Sequence, residues 1–363
     1  MLEKRHYTRV GSGTSGRLGY LDWGRGLCVV LMIVTHGLYG WVRPEDHARP
    51  FFQWMRLVGG FPGAVILFIS GCVLALAAEG MHRRAAPPRA VLRAGIARGL
   101  EILGYAFLFR FWMYASGRFG SPWDLLRADI LNCIGVSLLV VGAVALPWPR
   151  RAARIGAALA IAAAVVALTP LTWDSALARR LPAGVAVYID GRQPGSIFPP
   201  FPWAGFAALG AAFGVLLASW RGRERDGLLF GGTAALGVAL IPLGLLADRV
   251  SPAVYPRYDF WHTSPGYFAV KAGIVLLAIA AAYAFDRLPG QGWIRQLGRT
   301  SLLVYWVHLE VIYGDHVVPG ARGNLPLDQA VVAVAILTLA MLALSYARSA
   351  RWPFLRPRDA LAS

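Results

Sequence analysis

The sequence predicts an all-α protein, a polytopic membrane helical bundle of about ten transmembrane helices with both termini in the cytoplasm. The first observation behind this prediction is composition: 57% of the 363 residues are hydrophobic, 15% are charged, and the mean hydropathy is +0.52. Soluble domains contain roughly 45–50% apolar and about 25% charged residues, so the composition excludes an ordinary soluble domain. The other two observations are a series of long apolar runs and an uneven distribution of basic residues between the loops.

Ten apolar runs approach the length of about 20 residues that a helix needs to cross a bilayer. The fourth and fifth runs are separated only by the short segment Pro147–Arg151. The ninth run is the weakest candidate because it carries His308 and Glu310. The ten predicted spans are 24–41, 57–78, 92–115, 128–147, 153–171, 201–220, 227–247, 265–285, 299–314 and 329–347.

The basic residues indicate the orientation of these spans. If the N-terminus is cytoplasmic, the inner side carries 23 of the 36 Lys and Arg residues. Cytoplasmic loops of membrane proteins are enriched in these two residue types. Orientation therefore explains the formal net charge of +17, and a nucleic-acid partner is not needed.

We expect a single integral-membrane domain over residues 1–363. Residues 1–23 would form a cytoplasmic N-terminal segment, and residues 348–363 a cytoplasmic tail. The long loop over residues 172–197 would lie outside the cytoplasm. We interpret this loop as a cap over an outward-facing cavity, with a simple tether as the alternative.

Ionisable residues inside apolar runs are costly in a bilayer and therefore mark candidate sites. Arg25 and His36 are 11 positions apart, so an α-helix separates them by about 16.5 Å and places them within about 20° of one face. Asp22 lies on the same stripe. A cation at the rim and a deeper imidazole suit a long anionic ligand, and acyl-coenzyme A has that form. The alternatives are an interfacial anchor for Arg25 and a helix–helix hydrogen bond for His36.

Two further spans carry ionisable residues. Tyr305 and His308 share a helix face. His308 is therefore a candidate second base, or a group that orients the hydroxyl or amine of a molecule that accepts an acyl group. A hydrogen bond between these two side chains is the structural alternative. Arg299 is either a phosphate ligand or an interfacial anchor. Arg98 can bind phosphate, or it can simply pair with Glu101 three residues later.

The candidates for substrate binding are Tyr305, Trp203, Asp129 and Asn132, and we expect them at the outer side. We predict a buried ion pair between Arg110 and Asp129, with Asn132 close to it at the start of the same span. Trp203 follows a proline-rich segment that cannot form a regular helix start, because prolines lack the backbone N–H. This tryptophan is a candidate for stacking on a sugar, or it merely belongs to a helix start. Lys271 lies inside an apolar run and has no assigned role.

Five segments together resemble a known group of proteins. The stretch YLDWGRGLCVVLMIVTH (Tyr20–His36) resembles the first span of transmembrane acyltransferases, including acyltransferase family 3, which share an Arg and a His separated by ten residues. Four further blocks resemble bacterial members of the heparan-alpha-glucosaminide N-acetyltransferase-like family. These blocks are LFISG (Leu67–Gly71), DILNCIG (Asp129–Gly135), FPWAGF (Phe201–Phe206) and LGRTSLLVYWVH (Leu297–His308).

This resemblance implies a multi-pass protein of the bacterial cytoplasmic (inner) membrane that moves an acetyl group from cytoplasmic acetyl-CoA to a sugar or glycan acceptor on the far side. It places Arg25 at the cofactor end, His36 at the deep position and His308 at a late Tyr-x-x-His position. The lysosomal enzyme of the family has Asn at the position of His36 and its active His-Ala in the next loop, where this chain has His47-Ala48. The base is therefore His36 or His47, and we favour His36.

The implied partners are the lipid bilayer, an acetyl-CoA or other acyl-CoA donor and the glycan acceptor. The sequence contains no H-E-x-x-H spacing, so no metal is expected. The oligomeric state stays open, with a homo-oligomer as one option. The alternatives in function are a transporter or lipid-carrier flippase for an anionic substrate, and a scaffold that has lost catalysis.

Overall fold

A computed structural model of the protein describes residues 18–117, 121–220, 223–255, 257–314 and 317–351. Most of the predicted N-terminal segment and most of the predicted tail lie outside this range. The described part is helical, without a β-strand, and each of the ten predicted spans corresponds to one helix. Two 3-10 turns, Pro44–Asp46 and Pro122–Leu126, lie between helices.

The α-helices are numbered in chain order. They are α1 (Gly19–Trp41), α2 (Pro50–Val58), α3 (Pro62–Arg83), α4 (Pro88–Ala115), α5 (Ile130–Val144), α6 (Arg151–Thr172), α7 (Ala176–Arg180), α8 (Ala183–Ala186), α9 (Pro200–Ser219), α10 (Arg223–Asp248), α11 (Ser251–Val254), α12 (Pro265–Phe285), α13 (Gly292–Arg299), α14 (Ser301–Tyr313) and α15 (Leu327–Arg351).

Seven helical segments in the described part are long and apolar enough to cross a membrane, so this is a membrane protein. They lie in α1, the region Pro50–Arg83, α6, α9, α10, α12 and α15. Helices α5 and α14 are apolar but shorter, at 15 and 13 residues. Helix α4 has 28 residues and carries several arginines along its length.

Close helix approaches at small residues hold the bundle together. A Cβ at Gly71 in α3 would lie 1.9 Å from the carbonyl oxygen of Ala207, and one at Gly210 in α9 would lie 1.9 Å from that of Phe68. Only glycine fits at such contacts, and small residues are the usual means by which helices approach closely in a membrane. Helices α3 and α9 therefore form a tight pair at the centre of the larger apolar core.

Helix α1 lies between two apolar cores. Its residues Leu21 and Cys28 belong to the larger core, whereas Val29 and Ile33 belong to a smaller core formed with α13, α14 and α15. This position between the cores explains why α1 can present polar side chains to several neighbouring helices.

We call the end of the bundle where α1 begins the near end, and the opposite end the far end. Tyr20 of α1 packs on Tyr283 of α12, and Gly24 faces Ala282, so α1 and α12 are antiparallel. Helix α3 also runs from the far end to the near end, because Gly59 before it lies against Thr35 of α1. Polar side chains can thus be compared by their depth along these axes.

The proline-rich segment before Trp203 is irregular, as its sequence predicts. Phe201 has φ −94° and ψ 110° inside α9, which is not helical. Its carbonyl oxygen accepts a hydrogen bond from Nε1 of Trp173 at 3.0 Å, so the interruption is satisfied by the end of α6.

The loop over residues 172–197 is folded against the bundle. Asp190 is buried, and its carboxylate accepts hydrogen bonds from the backbone N–H of Arg192 and the side chain of Gln193. Ser196 forms an isolated β-bridge with Ala128 just before α5. The loop therefore packs over the far end of α5.

Candidate active site

Two histidines from distant parts of the chain meet near the far end. Nδ1 of His36 in α1 lies 3.0 Å from Nε2 of His308 in α14, and the two rings are nearly parallel, at 10°. His308 is fully buried, whereas His36 keeps partial exposure. The more accessible imidazole is thus backed by a second one that has no access to solvent.

The hydrogen bonds define which ring nitrogen carries a proton. Nδ1 of His308 lies 2.7 Å from the carbonyl oxygen of Val304, and a carbonyl can only accept, so Nδ1 is the donor. In a neutral imidazole the other nitrogen is then an acceptor, and Nε2 of His308 accepts from Nδ1–H of His36. Nε2 of His36 is left with its lone pair. This is the arrangement of a general base.

Aromatic rings enclose the pair. The Tyr313 ring approaches His36 edge-on at 6.2 Å, and the Tyr305 ring approaches His308 edge-on at 5.8 Å. The predicted neighbours Tyr305 and His308 do share a face, but the polar partners of His308 are His36 and the Val304 carbonyl rather than the Tyr305 hydroxyl.

A second polar cluster lies at the near end of α1. The buried Asp22 carboxylate is 3.4 Å from the Arg25 guanidinium and 3.6 Å from the Arg299 guanidinium. Its position depends on close packing of α13, because a Cβ at Gly298 would lie 1.8 Å from the carbonyl oxygen of Asp22. The structure therefore brings together three residues predicted for cofactor binding. Arg25 and Arg299 remain partly exposed and able to contact an anion.

A cavity of about 240 Å³ opens beside this cluster. Arg25 and Arg98 both line it, and the rest of its wall is mostly apolar, from α3, α4 and α5. Arg98 also pairs with Glu101 at 2.7 Å, as its spacing predicts. His36 and His308 do not line this cavity. The two arginines are thus gathered at one opening, separate from the histidine pair.

The predicted ion pair of α4 and α5 is present. Arg110 and Asp129 are 2.6 Å apart and both are buried. Asp129 also caps α5, because its Oδ1 accepts from the backbone N–H groups of Leu131 and Asn132. These contacts make Asp129 a structural residue whatever else it does.

Asn132 lies between this ion pair and the loop over residues 172–197. Its Nδ2 donates to the Tyr188 hydroxyl at 2.9 Å. Burial raises the pKa of Tyr188, so this hydroxyl stays protonated at neutral pH. Asn132 itself is fully buried, and its Oδ1 has no hydrogen-bond partner within the described residues.

Trp203 lies in an aromatic group at the far end. Its ring contacts Phe198 and Phe206, and Nζ of Lys271 lies 4.8 Å from its centre. The same ammonium is 4.6 Å from the Tyr267 ring. Each cation–π contact is worth about 0.5–2 kcal/mol, which offsets part of the cost of a lysine within a bilayer, a cost that is at most roughly 2.5–3.5 kcal/mol on insertion scales.

His47 lies apart from the histidine pair. It follows the turn after α1, where its Nε2 is 3.2 Å from the Val42 carbonyl oxygen and its ring stacks on Phe52 at 4.4 Å. Gln53 donates to its backbone oxygen at 2.6 Å. These contacts hold His47 in the connection between α1 and α2.

The chain matches one protein family over most of these elements. The family model described as heparan-alpha-glucosaminide N-acetyltransferase, catalytic, matches residues 17–244, which is more than half of the chain. The chain belongs to this family. The matched region contains Asp22, Arg25, His36 and Trp203, whereas Lys271 and His308 lie beyond it. No curated protein matches the chain.

Membership in this family indicates a membrane acyltransferase-type activity. Donors in the family are of the acetyl-CoA type. Within the described residues, no group of three or more His, Cys, Asp or Glu side chains is arranged to hold a metal ion.

Sequence reasoning named both histidines but missed their direct contact. The sequence does contain a signal for this contact, because His36 lies five residues before the end of the first predicted span and His308 lies six residues before the end of the ninth. In the ten-span arrangement both spans run toward the outer side, so similar distances from their ends predict similar depths. Nothing comparable in the sequence predicts that Trp203 and Tyr267 lie beside Lys271.

Proposed function

We propose that the protein is an acyltransferase that moves an acetyl or other short acyl group from cytoplasmic acyl-CoA to a sugar or glycan acceptor at the outer face, with His36 as the base. The observation that carries this proposal is the His36–His308 hydrogen bond together with the Val304 contact. These contacts leave an unprotonated nitrogen on a partly exposed side chain of the matched family region.

The chemistry follows from that nitrogen. Nε2 of His36 accepts the proton of an acceptor hydroxyl or amine while the acceptor oxygen or nitrogen attacks the thioester carbon. The new bond joins the acceptor to the acyl carbon, the carbon–sulfur bond breaks, and the proton on His36 passes to the leaving thiolate. A two-step route through an acetyl-His36 intermediate uses the same nitrogen as nucleophile.

His308 acts through His36. By accepting from Nδ1–H, it fixes the tautomer and orients the ring. As His36 takes up the proton, its Nδ1–H becomes a stronger donor, and the buried His308 nitrogen stabilises the imidazolium. This is a positioning and electrostatic role, since His308 itself is fully buried.

The near end supports donor binding. Arg25 and Arg98 at one cavity, and Arg299 beside Asp22, supply guanidinium groups that suit phosphates. The apolar wall below the arginines suits the pantetheine and acyl portion. Arg25 and His36 are about 16.5 Å apart along α1, the kind of span that separates the phosphates of a coenzyme A thioester from its acyl group.

The proposal includes the membrane arrangement that the sequence predicts. Ten spans with both termini in the cytoplasm place the near end at the cytoplasmic side and the far end at the outer side. Trp203, Tyr305 and the Asp129–Asn132 group then face the acceptor side. The resemblance to bacterial members of the family is our reason for placing the protein in the bacterial cytoplasmic membrane.

Donor binding gives a direct experiment. We expect acetyl-CoA to raise the Tm of the detergent-purified protein saturably, and labelled acetyl groups to pass from it to an amino sugar. Arg25→Gln should weaken acetyl-CoA binding by about 10-fold or more, because a hydrogen bond to a charged group is lost. The matched control is Arg89→Gln, which removes an exposed arginine of the same end that does not line the cavity.

Two outcomes would contradict the proposal. One is a folded wild-type protein that neither binds any acyl-CoA nor transfers its label, which favours the transporter alternative. The other is equal weakening in Arg25→Gln and Arg89→Gln, which would make Arg25 no more than one part of a general positive surface.

A further inference from the structure

Lys271 is a membrane-depth cation without a carboxylate beside it. Within the described residues, its contacts are the two cation–π interactions with Trp203 and Tyr267, and no salt bridge includes it. Two buried arginines differ from it, since Arg110 and Arg154 are each paired with a buried carboxylate, at 2.6 and 2.7 Å. No carboxylate among the described residues therefore neutralises the charge of Lys271.

The geometry of α12 directs this lysine toward α9. Gly273 and Gly266 of α12 form the close contact with Gly237 and Gly244 of α10. Lys271 is two residues from Gly273, which is about 200° around an α-helix. Its side chain therefore leaves α12 on the side away from α10, where the Trp203 ring of α9 lies.

Lys271 and His36 lie at similar depths. Gly24 of α1 faces Ala282 of α12, and these helices are antiparallel. From that contact His36 is 12 residues and Lys271 is 11 residues toward the far end. At 1.5 Å per residue the two side chains differ in depth by only about 1.5 Å.

A second group of cations lies near the same end. Asp174 is the shared partner of three arginines, at 2.7 Å from Arg179, 3.6 Å from Arg257 and 4.0 Å from Arg192, so the group keeps a net positive charge. The preceding Trp173 is hydrogen-bonded to the Phe201 carbonyl, two residues before Trp203. A positive surface beside a recessed cation attracts anions and guides their approach.

We infer that Lys271, held between Trp203 and Tyr267, binds an anionic group, a carboxylate or a phosphate, on the acceptor molecule. The aromatic rings allow the ammonium to remain charged without a carboxylate. Calling the bound molecule the acceptor rests on the acyl transfer proposed above. The anion site itself can be tested by binding alone.

The test uses the full chain in phosphatidylcholine nanodiscs and a matched pair of probes, glucuronate and glucose. Binding is followed by tryptophan fluorescence and by Tm, without any donor. We expect glucuronate to bind about 10- to 100-fold more tightly than glucose, as a charged hydrogen bond allows. Lys271→Gln should abolish this preference, and Lys271→Arg should retain most of it. The control Arg249→Gln, an exposed cation of the same end, should leave the preference unchanged.

Three results would overturn the inference. The first is a preference for glucuronate that survives in Lys271→Gln, and the second is the absence of this preference from the folded wild-type protein. The third is a Lys271-dependent rise in Tm on adding phosphatidylglycerol to the nanodiscs with no glucuronate binding, which would assign the lysine to a lipid headgroup. Acetyl transfer to a neutral sugar without glucuronate selectivity would leave the enzyme proposal standing and remove this one. Lys271-dependent glucuronate binding without any acyl transfer would support the anion site and remove the enzyme proposal.

Discussion

At the scale of single residues, His36 and His308 differ in exposure and in hydrogen-bond partners. His308 is fully buried and donates to its own helix, so in the proposed mechanism it acts through His36. Sequence spacing could place Arg25 and His36 on one face of α1, because that is a property of a single helix. The contact of His36 with His308 joins residues 272 positions apart and depends on how α14 packs against α1.

This division of roles predicts different outcomes for two changes at one site. In His308→Gln the side-chain carbonyl can still accept from Nδ1–H of His36, so the tautomer is kept. In His308→Leu that N–H is buried without a partner, which costs about 1–3 kcal/mol. We expect kcat to fall by about 10- to 100-fold in His308→Leu and by less than about 10-fold in His308→Gln, with the KM for acetyl-CoA unchanged in both.

Steady-state kinetics with saturating acceptor separate these values. Equal losses in the two variants, or a loss in KM alone, would contradict the positioning role of His308 and leave it a packing residue.

At the scale of helices, the apolar runs predicted the elements well. All ten predicted spans correspond to helices, because a run of apolar residues is visible without knowing its neighbours. What the runs do not establish is how many helices cross the membrane. Helices α5 and α14 are short, and α4 carries charges such as Arg98 and Arg110, so seven spans are evident from length and composition.

The ten-span arrangement makes a specific prediction for the connection between α4 and α5. If α4 is the third span, Trp123 in that connection lies outside the cell, whereas it lies inside if α4 and α5 do not cross. Trp123 is 71% exposed, and the three native cysteines are buried, so Trp123→Cys provides a single reactive thiol.

We expect a membrane-impermeant maleimide to label Trp123→Cys in intact cells. Arg89→Cys, the control from the cytoplasmic side, should react only after permeabilisation. Protection of Trp123→Cys until the cells are opened would contradict the ten-span arrangement.

At the scale of the whole molecule, α1 connects two polar centres. Its near end holds the Asp22–Arg25–Arg299 cluster, and its far part holds His36. Sequence reasoning could connect Asp22, Arg25 and His36 because these residues of the two centres lie on one continuous helix. It could not find the surroundings of Lys271, which come from α9 and α12 and from an aromatic group that assembles only when these helices pack.

The position of His47 illustrates the same limit. Both His36 and His47 were candidate bases from sequence, and spacing alone favoured the first. His47 contacts Val42, Phe52 and Gln53, whereas the side chain of His36 is hydrogen-bonded to a second histidine. The partners of His47 all lie within six residues of it, whereas the partner of His36 comes from a segment 272 positions away.

The most direct measurement is acetyl transfer by His36→Gln beside His47→Gln, with wild-type protein and with acetyl-CoA binding measured in each. We expect His36→Gln to lose about 10²–10⁴-fold in the rate of transfer, the usual contribution of a general base, while acetyl-CoA still raises its Tm. His47→Gln should transfer at close to the wild-type rate. A His36→Gln protein that retains the wild-type rate, or a loss confined to His47→Gln, would contradict the assignment of His36 as the base.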